Sequence, residues 1–322
     1  MLIIKLIIAV VLLIGFVFYL FNKLYKRTNH NKNFFENTEK FIVGVPKNLE
    51  IVCTGSSYAK FGIDFEQTEY MGFNFGIFPQ SLNYDYKLLQ QYSTNMKSGC
   101  VVLITLAPLV FGFVDYENDS SNYKYYKFLK RKYINNYRFK TKVTHIIFPL
   151  LATPRLAKYI FHDVPCIQYD EFATSEEHSR DEAMIRMKGW CGQFQINDLK
   201  DYTVTDEMNR IFYKTSTILN NMIKFCLLKD FTPVIVIPPV SNSLYKMFSK
   251  EFLDVYLYEN IKRCNENITV LNYLGDNELS NYKNYSNSDF MNKLGRGKFT
   301  EVLIRDLKAM NLLKNSMKGC TL

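Results

Sequence analysis

The sequence lacks the spacings that bind metals, nucleotides and nucleic acids. Its seven cysteines form no C-x-x-C pair, its four histidines form no H-E-x-x-H, and no glycine-rich phosphate loop follows a predicted strand. No recognisable nucleic-acid module is present either. We therefore expect no metal, no cofactor and no nucleic-acid partner.

Regular cysteine spacing is also missing, because the cysteines lie scattered at positions 53, 100, 166, 191, 226, 264 and 320. An odd count without regular spacing excludes a disulfide framework. It favours a reducing compartment, in which thiols stay unpaired.

Charge is nearly absent from the start of the chain, where LIIKLIIAVVLLIGFVFYLF spans residues 2–21 and contains only Lys5. At helical rise this run is long enough to cross the hydrocarbon layer. A cleaved signal peptide is the alternative, but the run is long for one and no small-x-small site follows it. The sequence predicts a single-pass transmembrane anchor over residues 1–22 and a basic juxtamembrane linker over residues 23–46.

The flanking charges bear on the side of the membrane that the following domain occupies. Lys23, Lys26, Arg27 and Lys32 follow the apolar run, whereas only Lys5 and the terminal amine precede it. The positive-inside rule therefore predicts a cytoplasmic domain.

Basic residues dominate the whole chain, which has a net charge of +9. The densest cluster, residues 124–142, alternates lysines with tyrosines and phenylalanines. This pattern favours a solvated or membrane-facing surface over a nucleic-acid site. The expected partners are the lipid bilayer, with its anionic headgroups, or an anionic polymer.

Short apolar runs bounded by turn residues predict buried parallel strands at 49–54, 72–75, 101–106, 233–238 and, more weakly, 268–272. Helical periodicity predicts helices over 82–96, 208–229, 244–264 and 293–313. This alternation predicts an α/β domain with a mostly parallel sheet over residues 47–315. We expect residues 116–201 to form a mostly helical insertion, with a buried strand only at HIIFPLL. Residues 316–322 are expected to form a C-terminal tail.

The first predicted strand leads into Gly55-Ser56-Ser57. Ligands of open α/β sheets bind beyond the carboxyl ends of the strands, and glycine permits a tight turn there. A serine hydroxyl at this point is a candidate nucleophile whose own N–H can face an oxyanion. Capping of the following helix explains the serines equally well.

Four segments, GSSYAKFGID, GFNFGIFPQSLNYDYKLL, IVIPPVSNSLY and SDFMNKLGRGKFTEVL, come in an order that resembles SGNH (GDSL-like) hydrolases and acyltransferases over roughly residues 49–307. The sequence looks most like the membrane-anchored branch near cell-envelope polysaccharide genes and, more distantly, the D-alanyl transfer protein of lipoteichoic acid. The resemblance implies a three-layer α/β/α, flavodoxin-like fold. It also implies an extracytoplasmic domain, opposite to the prediction from the flanking charges.

The resemblance further implies a set of site residues, with Ser57 as the candidate nucleophile. A turn capped by Ser241 explains the third segment as well as an acyl site does. The implied oxyanion and substrate-binding positions are Gly55, Ser56, Asn74, Gly76, Pro239 and Ser241.

The last segment departs from the family pattern. The family's Asp-x-x-His pair aligns with Asn287 and Phe290 in this chain. Neither an amide nor a phenyl ring can take the proton of a serine hydroxyl. Asp289 is an adjacent ionisable substitute. The four histidines, at positions 30, 145, 162 and 178, are expected to be surface or structural residues.

These residues leave two main hypotheses for function. The first is a membrane-anchored SGNH-type acyl-ester transferase or esterase that acts on a cell-envelope or capsular polysaccharide through Ser57. The second is a catalytically degenerate SGNH-fold protein that binds a glycan polymer or a membrane-bound biosynthetic partner, because Phe290 stands at the base position. A cytoplasmic-face scaffold, suggested by the basic flank, is a third.

Overall fold

The computed structural model describes residues 1–35, 38–113, 120–167, 175–200, 203–264 and 267–313. The chain divides into two compact units. The anchor unit comprises Met1–Gly44 and Tyr116–Gln168, and the sheet unit comprises Val45–Asp115 and Tyr169–Leu322. Residues 116–201, predicted as one insertion, are therefore shared between the units. The predicted tail, 316–322, lies outside the described residues.

The sheet unit contains one parallel five-stranded sheet, which confirms the predicted α/β class. The strand order is β2-β1-β3-β4-β5, and each neighbouring pair is parallel. β3 begins earlier than predicted, because its first residues are largely exposed and so do not form an apolar run. The strands are β1 (Leu49–Thr54), β2 (Gly72–Asn74), β3 (Met96–Thr105), β4 (Thr232–Ile237) and β5 (Thr269–Asn272).

Helices and helical turns connect these strands and form the anchor unit. The α-helices are α1 (Leu2–Tyr25), α2 (Asn29–Phe34), α3 (Glu39–Val43), α4 (Ser57–Gly62), α5 (Leu82–Tyr92), α6 (Phe139–Thr141), α7 (Pro149–Ala152), α8 (Glu176–Phe194), α9 (Asp206–Leu228), α10 (Asn242–Tyr245), α11 (Lys250–Leu253), α12 (Glu259–Lys262) and α13 (Lys293–Ala309). The 3₁₀ segments are Ser93–Asn95, Val110–Gly112, Ser120–Lys127, Arg131–Tyr133, Pro154–Ile160 and Tyr282–Asn284, and the π segments are Lys142–Ile147 and Asp254–Tyr258.

The sheet is buried because helices pack on its strands. Side chains of a strand alternate between the two faces. Alternate residues of β1, β3 and β4 form one buried cluster with Phe299 and Leu303 of α13. The intervening residues of β4, Ile235 and Ile237, are also fully buried, and α9 lies against this strand. This burial on both sides explains the continuous apolar runs of the sequence.

Two predictions, one of a helix and one of a strand, differ from the structure. The predicted helix 244–264 is divided into α10, α11, the π segment Asp254–Tyr258 and α12, because Ser249 starts a new helix by accepting a hydrogen bond from Phe252 N at 3.0 Å. The predicted strand at HIIFPLL is wrong, since these residues form the end of the π segment Lys142–Ile147 and α7. Within this segment the apolar positions 146, 147, 150 and 151 recur at helical spacing.

The anchor unit is built around the end of α1. This helix is long and apolar enough to cross a membrane, as a signal sequence would also be. Asn22 near its end is 1 % exposed and accepts a hydrogen bond from Leu150 N at 3.0 Å. Residues 23–46, predicted as a linker, contain the last turn of α1 together with α2 and α3.

Candidate functional site

The site begins at the turn between β1 and α4. Gly55 has φ +137°, and a Cβ atom there would lie 3.0 Å from the Cβ atoms of both Ala59 and Thr105. Only glycine fits this close approach without strain. Its N–H donates to Asp85 Oδ1 at 2.8 Å, and Gln80 Nε2 donates to its carbonyl at 3.0 Å. Two buried side chains therefore fix the turn that presents the serines.

A cavity of about 470 Å³ opens beside this turn. Ser57 lies in its wall at the first position of α4 and is 6 % exposed. Ser56 also lines the cavity, and its Oγ accepts a hydrogen bond from Gln80 N at 3.1 Å. The other lining residues are Tyr58, Phe78, Pro79, Gln80, Asp85, Thr105, Ala107, Leu109, Val110, Phe113, Glu182, Ile185, Arg186, Gly189, Trp190, Gln193 and Asp289.

One face of α8 forms a large part of the wall, and none of its residues is among the site positions predicted from the sequence. Because side chains three or four residues apart share a helix face, this periodicity is the signal that could have identified them. It does not, however, indicate which element the face covers. The lining positions of α8 are Glu182, Ile185, Arg186, Gly189, Trp190 and Gln193.

Arg186 joins this face to Asp289 through two hydrogen-bonded contacts. Its Nη2 lies 3.0 Å from Asp289 Oδ1, and its Nε lies 3.0 Å from Asp289 Oδ2. Burial raises the pKa of the Asp289 carboxyl from 3.8 to about 6, with the guanidinium opposing the rise. Burial also raises the pKa of Tyr58 well above its usual value, and its hydroxyl has no hydrogen-bond partner among the described residues.

The two positions that align with the Asp and His of SGNH hydrolases, Asn287 and Phe290, have structural roles. Asn287 Oδ1 accepts hydrogen bonds from the N–H groups of Asp289 and Phe290, at 2.9 and 2.7 Å. The Phe290 ring stacks on Phe61 with centroids 4.6 Å apart and meets Phe78 edge-on at 5.7 Å. Phe290 is thus part of an aromatic cluster, and it is Asp289 that lines the cavity with Ser57.

Two further predicted positions, Asn74 and Gly76, do not line the cavity. The Asn74 amide donates to the carbonyls of Ala59 and Ile63 at 2.7 and 2.8 Å, and its Oδ1 accepts from Gly76 N at 2.7 Å. The predicted oxyanion donors therefore bind the chain itself.

The third segment has a similar local role. Ser241 is fully buried, its N–H donates to Ser288 O at 3.1 Å, and its Oγ accepts from Leu244 N at 3.3 Å as the cap of α10. Pro239 is buried beside it in sequence. Neither residue lines the cavity, so the segment acts as a strand-to-helix turn, the alternative that its sequence also predicts.

Histidine is missing from the part of the cavity wall that the structure describes. His178 lies in the first turn of α8, exposed, with Nε2 3.9 Å from Glu182 Oε1. Within the described ranges, no three His, Cys, Asp or Glu side chains cluster as metal ligands would.

The cavity therefore combines two serines, an ion-paired carboxylate and apolar walls, with a helix face rich in hydrogen-bonding side chains. No family model matches the chain, and no curated protein matches it either.

Proposed function

We propose that the sheet unit is a catalytically degenerate SGNH-type domain that binds a neutral, acyl-bearing segment of a cell-envelope glycan in the cavity beside Ser57. The observation that carries this proposal is the Arg186–Asp289 pair. Asp289 is the only carboxylate that the segment SDFMNKLGRGKFTEVL contributes to the cavity. Arg186 binds both of its oxygens.

The sheet supports the SGNH-type, three-layer part of the proposal. The order β2-β1-β3-β4-β5 is that of flavodoxin-like sheets, in which ligands bind at the switch point between β1 and β3. Ser56 and Ser57 follow β1, whereas Thr105 and Ala107 lie at the end of β3 and just beyond it. The cavity thus lies at the switch point.

The lack of hydrolysis follows from the fate of the serine proton. A serine hydroxyl attacks an ester only when a positioned base takes its proton. Asp289 holds Arg186 with both oxygens, so proton transfer to it would break a buried ion pair. No described histidine in the cavity wall replaces it.

The walls indicate the class of ligand. Phe78, Leu109, Val110 and Phe113 offer an apolar surface for an acyl group, and Gln193 offers hydrogen bonds to sugar hydroxyls. Asp289 is paired with Arg186, the one lysine or arginine among the described lining residues, which leaves the carboxylates of Asp85 and Glu182 as added negative charge. This balance disfavours an anionic polymer in the cavity and favours a neutral one.

Acyl transfer by Ser57 with Asp289 as base is the second candidate. It is favoured by the shared cavity and by the pKa of Asp289, which at about 6 approaches the range that suits a general base. In this case Asp289 would have to separate from Arg186 when substrate binds.

Labelling with a serine-reactive fluorophosphonate separates the two candidates. We expect no labelling of the wild-type protein, and labelling of an Asn287→Asp, Phe290→His double variant in which a dyad is restored. Ser57→Ala in the double variant is the control and should abolish the label. Wild-type labelling that vanishes in Ser57→Ala would establish the enzyme instead.

Ligand binding can be followed with the intrinsic fluorescence of Trp190, which is the chain's single tryptophan and lines the cavity. We expect an O-acetylated xylo-oligosaccharide to shift this emission, and its deacetylated form and an oligogalacturonate to leave it unchanged. A response to the oligogalacturonate alone would contradict the proposed ligand class.

A further inference from the structure

The positive charge of the protein is concentrated in the anchor unit. Its residues include 16 lysines and arginines against 5 aspartates and glutamates, a formal charge of +11. The whole chain has +9, so the sheet unit has −2. The unit that contains the apolar helix α1 is therefore the one suited to an anionic surface.

Residues 142–163, which we call the collar, pack around the end of α1. Phe148 contacts Phe18 with ring centroids 6.0 Å apart, and Phe161 contacts Phe21 at 6.4 Å. Lys26 Nζ donates to the carbonyl of Ile147 at 3.0 Å. The collar is thus fixed to the side of the helix, alongside its last two to three turns.

The length of α1 places these contacts at the boundary of the bilayer. About 20 helical residues are needed to cross roughly 30 Å of hydrocarbon. A span that begins at Leu2 therefore reaches Phe21, the residue that Phe161 contacts. If the collar stayed wholly in water, the apolar part of α1 would be too short to span the membrane.

The exposed side chains of the collar are of the kinds found at the boundary of a bilayer. Phe161 and Leu151 are 69 % and 53 % exposed, although both side chains are large and apolar. Arg155 and Lys158, in the 3₁₀ segment Pro154–Ile160 between them, are exposed cations. Apolar side chains next to lysine and arginine are typical of elements that lie in the membrane interface.

We propose that the collar lies in the bilayer interface beside a membrane-spanning α1, with Leu151 and Phe161 among the lipid chains and Arg155 and Lys158 bound to anionic lipid headgroups. It follows that α1 is retained, because the buried Asn22 and its bond to Leu150 N belong to the folded anchor unit. This proposal requires α1 to cross the membrane and is independent of what the cavity binds.

The test uses full-length protein in lipid nanodiscs and a tryptophan placed in the collar. Phe161→Trp is introduced into a Trp190→Phe background, so that it alone emits. We expect lipids brominated near the headgroup end of the acyl chain to quench it strongly. Leu228→Trp, at an 85 % exposed position in the sheet unit, is the matched control, since the proposal assigns no lipid contact there. Quenching no greater than that of the control would overturn the proposal.

Headgroup selectivity is measured in the same protein with brominated phosphatidylglycerol and brominated phosphatidylcholine. We expect the anionic lipid to associate more strongly, by about fivefold for each cation that contacts the surface. Arg155→Gln with Lys158→Gln, checked for an unchanged unfolding temperature, should remove most of this preference. An unchanged preference in the double variant would overturn the headgroup role of these two residues.

Discussion

At the scale of single residues, Asp289 makes the fold sensitive to pH. Burial raises the pKa of its carboxyl from 3.8 to about 6, so the folded protein holds this proton more tightly than the unfolded chain does. The contribution to stability is complete below the unfolded pKa and is lost as the pH rises through the folded pKa. From this group alone, the free energy of unfolding should fall by about 1 kcal/mol per pH unit as the pH rises from about 4 to about 6.

Asp289→Asn tests this effect because asparagine cannot titrate. We expect the difference in unfolding temperature between wild type and Asp289→Asn to shift steadily in favour of the variant as the pH rises from about 4 to about 6. Detergent-solubilised protein unfolded by heat across this range provides the measurement. Asp181→Asn, an exposed position on the same helix α8, should run parallel to wild type. Parallel curves for Asp289→Asn would show that the carboxyl does not take up a proton in the fold.

The same scale shows why site residues are only partly predictable from sequence. Ser57 and Asp289 were named from their places in the segments, and both line the cavity. Asn74 and Ser241 were named on the same basis, yet they bind neighbouring backbone groups. A short polar side chain can cap a helix or face a ligand from the same sequence position. Only the direction of the side chain decides between the two roles.

At the scale of elements, α8 determines the shape of the cavity. Gly189 lies on the face that lines the cavity, and a Cβ atom there would meet nothing within 4 Å. A larger side chain can therefore extend into empty space without strain. Gly192, one turn along the same helix, also has open space at this distance but does not line the cavity.

Gly189→Leu should therefore block the cavity while leaving the fold intact. We expect the Trp190 response to the O-acetylated xylo-oligosaccharide to be lost or weakened by at least about tenfold, since the leucine occupies the apolar space that the acyl group needs. Gly192→Leu is the matched control and should bind as wild type does. Both variants should gain up to about 1 kcal/mol of stability, because leucine favours a helix over glycine. Equal binding by the two variants would place the ligand elsewhere.

Strands and helices were predictable from the sequence where burial is uniform along the element, and less so where burial changes along it. The five strands were found from their apolar runs, which the covered sheet requires. The helix predicted over 244–264 was not, because the cap at Ser249 divides a periodic stretch that looks continuous. HIIFPLL shows the reverse problem, since a short apolar run fits a strand and a helix equally well.

At the scale of the whole molecule, the two compact units also differ in charge, one being basic and the other slightly acidic. The formal charges of +11 and −2 belong to units that are each assembled from two separate stretches of sequence. The cluster at 124–142 was visible in the sequence, but its association with the apolar helix was not, because more than 90 residues separate them. The link is indirect: Asn22 of α1 binds Leu150 of α7, α7 packs on the π segment Lys142–Ile147, and that segment packs on the 3₁₀ segment Ser120–Lys127.

This charge distribution also predicts the side of the membrane on which the protein lies. Lys23, Lys26, Arg27 and Lys32 follow the apolar run of residues 2–21, and Lys5 is the one charged side chain near its start, so the positive-inside rule predicts that both units lie in the cytoplasm. Of the described cysteines, Cys166 is exposed.

Thiol labelling measures this topology directly. We expect a membrane-impermeant maleimide to leave the protein unlabelled in intact cells and to label it after the membrane is permeabilised. Cys166→Ser should lose most of the label gained on permeabilisation, because Cys166 is the exposed thiol among the described residues whereas Cys53, Cys100 and Cys226 are buried. Labelling in intact cells that disappears in Cys166→Ser would place the protein outside the cytoplasm, as the resemblance to envelope acyltransferases implies. The glycan bound in the cavity would then be an exported polymer and not a precursor at the inner face.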